Sequence, residues 1–395
     1  MVDNKNQYIL MYKNYEVLSF SVSFKTKDVY LIKKLKHFDK APHGVLHHKG
    51  SIDDALSSYF LRRKIAEQRY DYQKILDATG CEDSFELSFK GHGLSLTNHY
   101  WFRKEDEKLR YEDINFFTNK WDDSFARAVL TKDYEALKKC SLEVPDIVTP
   151  GWSLKGWIYD NGPKLYKMSR SEDDWEECLG EVLGSRLGRR LLGDEAVLTY
   201  ELKMIGGQYA SVSPAMINID EELIPFSSYM PYDVGRLYFL KSHNKALDKE
   251  FYDKLNELKL DDLYELFVKI NCVKSLSFLS DLHFDNLSVI KNEKTGQVRF
   301  APLYDLASSF GTGKKGKSFV SNLNKGSYLI MLYFFANLDP SWDYSWYDPH
   351  KLDGFEDEIR DILTKSDFYT PEILDRILEI YRYQKASLDK ISKKL

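Results

Sequence analysis

The stretch that decides the fold is Leu279-Ser280-Asp281-Leu282-His283-Phe284-Asp285-Asn286-Leu287-Ser288-Val289, followed later by Pro302-Leu303-Tyr304-Asp305-Leu306. Between them, residues 287–291 and 297–302 form strand-like runs around the polar turn Asn292-Glu293-Lys294-Thr295-Gly296. Asn and Gly are residues that hairpin turns favour. Pairing of these strands is therefore predicted to return Asp305 to the loop that carries Asp281 and Asn286.

An Asp, an Asn five residues later and a second Asp beyond a hairpin make the polar set that phosphoryl transfer requires. The first Asp orients the substrate hydroxyl, while the Asn and the second Asp hold magnesium on the phosphates. Asp and Asn are also ordinary turn residues, so this spacing indicates little alone. Residues 263–279, however, repeat apolar side chains at helical spacing. A buried helix is thus predicted to deliver the loop, and polar residues between buried elements indicate a site.

Composition and charge narrow the class of protein. The 395 residues are enough for two or three subdomains, and 43% hydrophobic with 30% charged residues is typical of a globular chain. A net charge of −5 gives no general attraction to nucleic acid, so no direct nucleic-acid partner is expected. No export signal or membrane span is visible. Four scattered cysteines without Cys-x-x-Cys spacing argue against zinc and disulfides and favour a reducing, cytoplasmic location.

The chain divides into three predicted parts. Residues 1–142 form an α/β region, residues 143–230 a β-rich lobe, and residues 231–395 a mainly helical lobe. In the first part the predicted strands are 15–23 and 29–35, and the predicted helices are 52–67, 70–78 and 124–139. In the second, strands are predicted at 152–159, 163–168, 197–205, 209–216 and 217–226, with a helix from Ser171. In the third, a helix is predicted from Thr370-Pro371.

The alternation of side chains along a predicted strand singles out one lysine of the second part as a candidate for binding phosphates. Lys164 and Lys167 lie on opposite faces of their strand because their separation is odd, so Lys167 can point into a cleft. A kinase needs such a cation on the nucleotide phosphates, held by a helix carboxylate. Glu181, beside the apolar stripe of the following helix, is the predicted partner. Most strand lysines are simply solvated, so the assignment depends on the combination.

The segment Thr149-Pro150-Gly151-Trp152-Ser153-Leu154-Lys155-Gly156 borders the first of these strands. Its backbone amides could cover phosphates, with Ser153 and Lys155 as donors. It lacks the Gly-x-Gly-x-x-Gly spacing of ordinary protein kinases, and an ordinary turn stays an open alternative.

Two rival patterns predict other chemistry. Gly311-Thr312-Gly313-Lys314-Lys315-Gly316-Lys317-Ser318 matches the P-loop pattern, but no buried strand precedes it and Gly326 follows within about two helical turns. A basic loop that meets the substrate fits it better. A metal cluster can also be drawn from three histidines and two aspartates, although loop histidines beside a helix start are commoner: His43, His47, His48, Asp53 and Asp54.

With Asp281-x-His283-x-x-Asn286 and Ala301-Pro302-Leu303-Tyr304-Asp305 in place, the chain resembles the HipA-like serine/threonine kinases, the toxins of bacterial toxin–antitoxin modules. The resemblance is firmest over residues 145–310. It implies a two-lobed, protein-kinase-like α+β fold with a β-rich N-lobe, a helical C-lobe and an extra N-terminal α/β region. ATP and Mg²⁺ would lie between the lobes.

The resemblance also implies roles for individual residues. Asp281 would be the catalytic base, Asn286 and Asp305 the metal ligands, and Lys167 the ATP lysine. The other residues expected to bind ATP are Glu181, Ser153, Lys155, His283 and Tyr304. His283 would either lie against the nucleotide phosphates or shape the loop. The family's usual phosphate-loop sequence is absent, so autophosphorylation is open, with Thr149 and Ser153 as candidates.

The expected partner is an unidentified protein substrate, and the resemblance also implies a small antitoxin protein. The leading hypothesis is a cytosolic kinase that phosphorylates a protein Ser or Thr, and a toxin role would follow from the resemblance. Two alternatives stay open. One is an ATP-binding pseudokinase that acts as an interaction module through its first 140 or so residues, and the other is a P-loop NTPase.

Overall fold

The computed structural model describes residues 6–169, 176–229, 263–313 and 344–393. The described residues form helices and three antiparallel sheets, so the predicted α+β class is confirmed. Secondary-structure elements are numbered below in chain order among these residues.

An antiparallel sheet of four strands organises the N-terminal region, in the order β3-β2-β1-β4. The strands are β1 (Gln7–Tyr12), β2 (Tyr15–Ser23), β3 (Asp28–Lys34) and β4 (Tyr100–Arg103). The helices are α1 (His43–Leu46), α2 (Ile52–Leu61), α3 (Tyr72–Thr79), α4 (Ser84–Ser88), α5 (Tyr111–Ile114), α6 (Ser124–Leu130) and α7 (Tyr134–Leu137). Side chains of α2 cap the edge strand, because Asp53 accepts the Leu31 amide at 2.8 Å and Ser57 accepts the Val29 amide at 2.9 Å. Amides at a sheet edge are thereby satisfied.

A second sheet of four strands runs in the order β5-β6-β8-β7. Its strands are β5 (Leu154–Tyr159), β6 (Pro163–Met168), β7 (Glu201–Ile205) and β8 (Gln208–Pro214), and helix α8 (Glu177–Leu192) lies between β6 and β7 in the chain. The β5–β6 turn contains Asn161 and Gly162, both with positive φ, as the predicted hairpin requires.

The third sheet carries the loops predicted to be functional. It is built from β9 (Glu221–Pro225), β10 (Ser288–Asn292) and β11 (Val298–Phe300), in the order β11-β10-β9. The short helix α9 (Phe226–Tyr229) follows β9, and α10 (Leu263–Ser277) precedes the Asp281 loop. Helices α11 (Phe355–Leu363) and α12 (Pro371–Ser392) complete the described chain. Short 3₁₀ turns lie at Phe38–Lys40, Pro145–Val148, Phe284–Asn286, Ser309–Gly311 and Pro349–Leu352.

Three buried apolar clusters hold these elements together. One cluster joins α8, α10, α11 and α12 with the β10–β11 hairpin. A second cluster lies between the N-terminal sheet and α2. The third contains Trp101 and Phe125 from the N-terminal region together with Trp157, Tyr166 and Val212 from the second sheet. The N-terminal region and the second sheet thus share a core. The domain limits predicted at 142 and 230 stay predictions, and the second of them lies outside the described residues.

Several predicted boundaries differ from the structure. The helix predicted over 124–139 is two short helices, because Lys132 takes a left-handed conformation with φ of 59° between them. The helix predicted over 52–67 ends at Leu61, and the strand predicted over 197–205 begins at Glu201. The strand predicted within 217–226 forms at Glu221–Pro225, but it pairs with β10 rather than with the second sheet. The helix predicted from Ser171 begins at Glu177 among the described residues, while Ser171 itself lies outside them.

Candidate active site

Lys167 lies at the centre of the site, between two carboxylates from distant parts of the chain. It projects from β6 and contacts Glu181 of α8, and its Nζ lies 2.7 Å from Oδ1 of Asp305. The other Glu181 oxygen, Oε2, accepts the Leu306 amide at 2.8 Å. The Glu181 side chain is fully buried, that of Lys167 is 8% exposed, and that of Asp305 is 37% exposed. Lys167, Glu181 and Asp305 are therefore brought together, and Asp305 is the member open to solvent.

The charges in this group stabilise one another. Burial by itself would lower the pKa of Lys167, but the Asp305 and Glu181 carboxylates hold it well above its ordinary value. Burial by itself would raise the pKa of Asp305, but Lys167 and Lys155 hold it below its ordinary value. Burial raises the pKa of Glu181, and the Lys167 charge opposes that rise. A charged lysine beside an ionised aspartate is the state that a nucleotide phosphate and a metal ion require.

Helix α8 approaches the Asp305 segment through a row of glycines. A Cβ at Gly184 would lie 2.5 Å from Ser309 Oγ and 2.8 Å from Leu306 Cβ, and one at Gly180 would overlap Thr312 and lie 2.5 Å from the Ala307 oxygen. A glycine inside a helix costs about 1 kcal/mol relative to alanine, so three at four-residue spacing need a packing reason. At Gly180 and Gly184 the reason is that only glycine lets the helix backbone beside Glu181 come this close to residues 306–312. At Gly188 a Cβ would lie 2.9 Å from Val197 Cγ2. The sequence shows this spacing at 180, 184 and 188, but the apolar stripe alone did not reveal it.

The loop that follows α10 holds Asp281 by its backbone. The Ser308 hydroxyl accepts the Ser280 and Asp281 amides, each at 3.1 Å, and the Asn286 side-chain nitrogen donates to the Asp281 carbonyl at 2.7 Å. The Asp281 side chain itself is 70% exposed. The structure therefore places Asp281 and Asn286 in contact, and Ser308 links both to the Asp305 segment. Sequence reasoning missed Ser308, because a hydroxyl that accepts backbone amides leaves no spacing signature.

His283 organises this loop rather than facing an apolar core. Its Nδ1 accepts the Asp285 amide at 3.2 Å, so the neutral ring carries its proton on Nε2. That nitrogen lies 3.5 Å from Oδ1 of Asp281. Of the two roles that sequence reasoning left open for His283, this geometry supports a part in shaping the loop.

Tyr304 and Asp305 follow the β10–β11 hairpin and contact the start of β10 and the residue before β7. The Tyr304 hydroxyl lies 2.7 Å from the Ser288 hydroxyl, and the Asp305 amide donates to the hydroxyl of Tyr200 at 3.3 Å. Asp305 has φ of 57°, a conformation that costs a non-glycine residue about 1 kcal/mol or more and persists only where the surroundings impose it. Tyr200 was also missed from the sequence.

Asn286 and Asp305 suit a magnesium ion chemically. Because the Asn286 nitrogen is engaged with the Asp281 carbonyl, its Oδ1 is the atom open to a metal, and the second carboxylate oxygen of Asp305 is another. Mg²⁺ prefers such oxygen ligands and takes its remaining ligands from water and phosphates. Among the described residues no group of three or more His, Cys, Asp or Glu side chains could hold a metal ion by itself.

The segment before β5 lies over Lys155. The Lys155 ammonium donates to the Pro150 carbonyl at 2.8 Å, and a Cβ at Gly151, where φ is 108°, would overlap that ammonium. Burial and the nearby Lys167 charge lower the pKa of Lys155 to about 8. Lys155 is thus a second cation close to Lys167, while Ser153 is buried. Thr149, an autophosphorylation candidate, donates to the Pro145 carbonyl at 2.8 Å and accepts the Trp157 indole N–H at 3.1 Å.

Neither rival pattern gains support from the described residues. The P-loop pattern falls largely outside them, since residues 314–318 are not described, and Phe310 before it lies in a 3₁₀ turn rather than a strand. His43 and His47 have ring centroids 4.3 Å apart, but Asp53 is engaged with the Leu31 amide. In the part of the chain that the structure describes, no group of three or more His, Cys, Asp or Glu side chains could hold a metal ion, so the structure gives this cluster no support as a metal site.

Comparisons with known proteins give distant matches. No protein-family model matches the sequence, and no characterised protein matches it by sequence. The crystal structure of the Helicobacter pylori proinflammatory kinase CtkA is 12% identical, with a TM-score of 0.40, over 61% of this chain and 91% of that one. A chain in the structure of the Shewanella oneidensis MR-1 toxin–antitoxin system HipA, with HipB and its operator DNA, is 10% identical. That match has a TM-score of 0.49 and covers 98% of this chain and 99% of the other.

One of these structures bears the name of the family that the sequence motifs resemble. At such identities and TM-scores the matches carry no argument about activity or partners, so the chemistry depends on the geometry above. The expectation of no nucleic-acid partner gains no support from a structure that contains operator DNA. No helix among the described residues is long and apolar enough to cross a membrane.

Proposed function

We propose that the protein is a kinase that transfers the γ-phosphoryl group of ATP to a protein Ser or Thr hydroxyl. The observation that carries the proposal is the contact of Lys167 with both Glu181 and Asp305. A buried ammonium held by a helix carboxylate, beside an aspartate open to solvent, is what positions nucleotide phosphates and their metal in kinases. ATP and Mg²⁺ are the cofactors proposed.

Each residue has a distinct role in this proposal. Asp281 would orient the substrate hydroxyl and accept its proton. Its side chain is exposed, while its backbone N–H and C=O are both held by hydrogen bonds. Asn286 and Asp305 would hold Mg²⁺, which neutralises phosphate charge when bound. Lys167 would turn from Asp305 toward the phosphates while Glu181 keeps it in place. Catalysis would then come from positioning and electrostatics.

Lys155 extends the positive charge of the site. It lies near Lys167 and Asp305, and its ammonium is held by a backbone carbonyl that a phosphate oxygen could replace. We therefore assign Lys155 to the phosphates, with Ser153 and the backbone of this segment beside it. Tyr304 and His283 would shape the same pocket from the opposite lobe.

The finer identity of the kinase also belongs to this proposal. By the sequence resemblance, the protein would be a toxin of a toxin–antitoxin system and would meet a small antitoxin protein. A cytoplasmic location is proposed with it, in keeping with cysteines that form no disulfide among the described residues.

The test uses the purified chain with labelled ATP, Mg²⁺ and a cell lysate, followed by mapping of the modified residues. Label on Ser or Thr of a lysate protein, lost when EDTA removes the metal, is the expected result. Binding of ATP without any transfer would instead establish the pseudokinase. Label on other residue types would overturn the Ser/Thr assignment.

A further inference from the structure

Ser308 holds the backbone of Asp281 from the segment that carries Asp305. Its hydroxyl oxygen accepts two successive amides, those of Ser280 and Asp281, each at 3.1 Å, and the residue is only 9% exposed. Ser308 stands three residues after Asp305. A single side-chain oxygen thus connects the proposed base loop with the proposed metal-ligand segment.

The turn after α10 explains why two amides point at one oxygen. Phe278 ends the helix with φ of 55°, and the Leu279 amide returns to the Lys274 carbonyl at 3.0 Å. The next two amides have left the helix and need acceptors, because buried backbone donors without partners are costly. Ser308 satisfies both of them at once.

Asp281 is fixed on its other side as well. Its carbonyl accepts the Asn286 side chain at 2.7 Å, so both its backbone N–H and its C=O are held while the carboxylate is exposed. The segments that hold them carry the two proposed metal ligands. Any shift of Ser308 would therefore move the carboxylate of Asp281 relative to Asp305.

We propose that Ser308 is a positioning residue for phosphoryl transfer: its hydroxyl sets the distance from the Asp281 carboxylate to Asp305, the proposed metal ligand. The inference rests on the proposed function. It concerns the chemical step rather than nucleotide binding, because Ser308 contacts neither Lys167 nor Glu181 through a hydrogen bond in the described structure.

The chain offers a matched control in the next residue. Ser309 is fully buried, and its hydroxyl has no hydrogen-bond partner among the described residues. Ser308→Ala and Ser309→Ala each remove one buried oxygen from the same turn. Only the first removes an acceptor of the Ser280 and Asp281 amides.

The experiment measures kcat, the KM for ATP and amide hydrogen exchange around residues 276–284 in both variants. Ser308→Ala should lower kcat about tenfold to a hundredfold with the KM for ATP within about twofold, since a small misplacement of a reacting group costs this much. Exchange at Ser280 and Asp281 should rise about tenfold. Ser309→Ala should leave all three quantities near those of the wild type.

Two results would overturn the inference: a kcat for Ser308→Ala within about twofold of the wild type, or an equal loss in Ser309→Ala. Should Ser308→Ala fail to fold, Ser308→Cys replaces it, because a cysteine is similar in size to serine but its sulfur is a weaker hydrogen-bond acceptor. The same three quantities are then measured in Ser308→Cys. A wild-type chain that transfers no phosphate would defeat the proposed function. Exchange at Ser280 and Asp281 would still decide whether Ser308 holds the loop.

Discussion

The Leu306 amide donates to the Glu181 carboxylate at 2.8 Å, on the oxygen that Lys167 does not contact. Glu181 of helix α8 therefore binds both Lys167 and the backbone directly after Asp305. The two ends of the proposed phosphate site are coupled through one buried side chain. This coupling requires the close approach that the glycines of α8 allow.

Gly184→Ala should weaken that approach. The added Cβ would lie 2.5 Å from Ser309 Oγ and 2.8 Å from Leu306 Cβ, so the helix or the segment must move. Overpacking of this kind costs about 1–3 kcal/mol, which thermal or urea unfolding would measure. Gly44→Ala is the control, since its Cβ would meet nothing closer than 3.9 Å. Equal stability of Gly184→Ala and the wild type would show that the glycine row is not a packing requirement.

Lys167→Met should abolish ATP binding and lower the free energy of unfolding by about 3 kcal/mol, because it leaves the buried Glu181 without its cation. Lys164 is the control, since it lies on the other face of β6 in a surface pair with Asp160. Lys164→Met should change stability by less than about 1 kcal/mol. Isothermal titration with ATP and urea unfolding provide the two measurements.

Isothermal titration with ATP also distinguishes the kinase hypothesis from the P-loop NTPase hypothesis. Lys317→Ala should leave ATP binding unchanged if the phosphates lie on Lys167. Loss of binding in Lys317→Ala together with normal binding in Lys167→Met would instead identify a P-loop NTPase.

The hairpin turn is predicted to depend on the N-terminal region. Glu293, in the β10–β11 turn, contacts the Tyr12 hydroxyl, lies 2.7 Å from the Lys13 ammonium, and is 3.3 Å from the His99 ring. Glu293→Gln should lower stability by about 2 kcal/mol, since hydrogen bonds to a charged group are lost in a half-buried site. Lys294→Ala, which removes an exposed pair with Asp220, should have little effect. If the two variants unfold alike, the N-terminal region does not anchor this hairpin.

Glu222 is predicted to make stability depend on pH. Burial, and then the nearby Glu293 carboxylate, raise the pKa of Glu222 from 4.5 to about 7. The folded protein therefore binds this proton more tightly than the unfolded chain, so the stability it contributes is present below about pH 4.5 and is lost as pH rises toward 7. The change amounts to about 3 kcal/mol at most.

Urea unfolding at pH 5 and pH 8 measures the stability that Glu222 is predicted to contribute at low pH. Glu222→Gln should flatten the fall in stability between the two pH values. Asp146, whose pKa burial also raises to about 7, acts in the same direction as Glu222. His43 and His99, whose pKa values burial lowers to about 4, act in the opposite direction, so the test is the difference between Glu222→Gln and the wild type at each pH. An unchanged pH dependence in Glu222→Gln would contradict the assignment.

The local parts of the site could be predicted from the sequence because they depend on short-range rules. The hairpin that returns Asp305 was predicted from one turn and two apolar runs, and Lys167 from strand parity. Strands β1 and β4 were missed, although Gln7–Tyr12 pairs with its neighbour β2 as well as with Tyr100–Arg103 some ninety residues away. Only the pairing of β1 with β4 has no local signal.

Other features were missed because they concern single contacts. Ser308 and Tyr200 act through hydrogen bonds to backbone groups that only the folded chain brings near. The glycines of α8 repeat every four residues in the sequence, but the packing role of Gly180 and Gly184 depends on residues 306–312, more than a hundred positions later. Long-range packing, rather than pattern, decides these positions.

The most direct test of the central claim compares phosphoryl transfer by the wild type, Asp281→Asn and Asp305→Asn, each purified and shown to be folded. We predict transfer by the wild type with Mg²⁺, and a loss of at least about a hundredfold in both variants. ATP binding should persist in Asp281→Asn, since that side chain is 70% exposed and is not one of the residues proposed to hold the phosphates. Undiminished transfer in either variant would contradict the account.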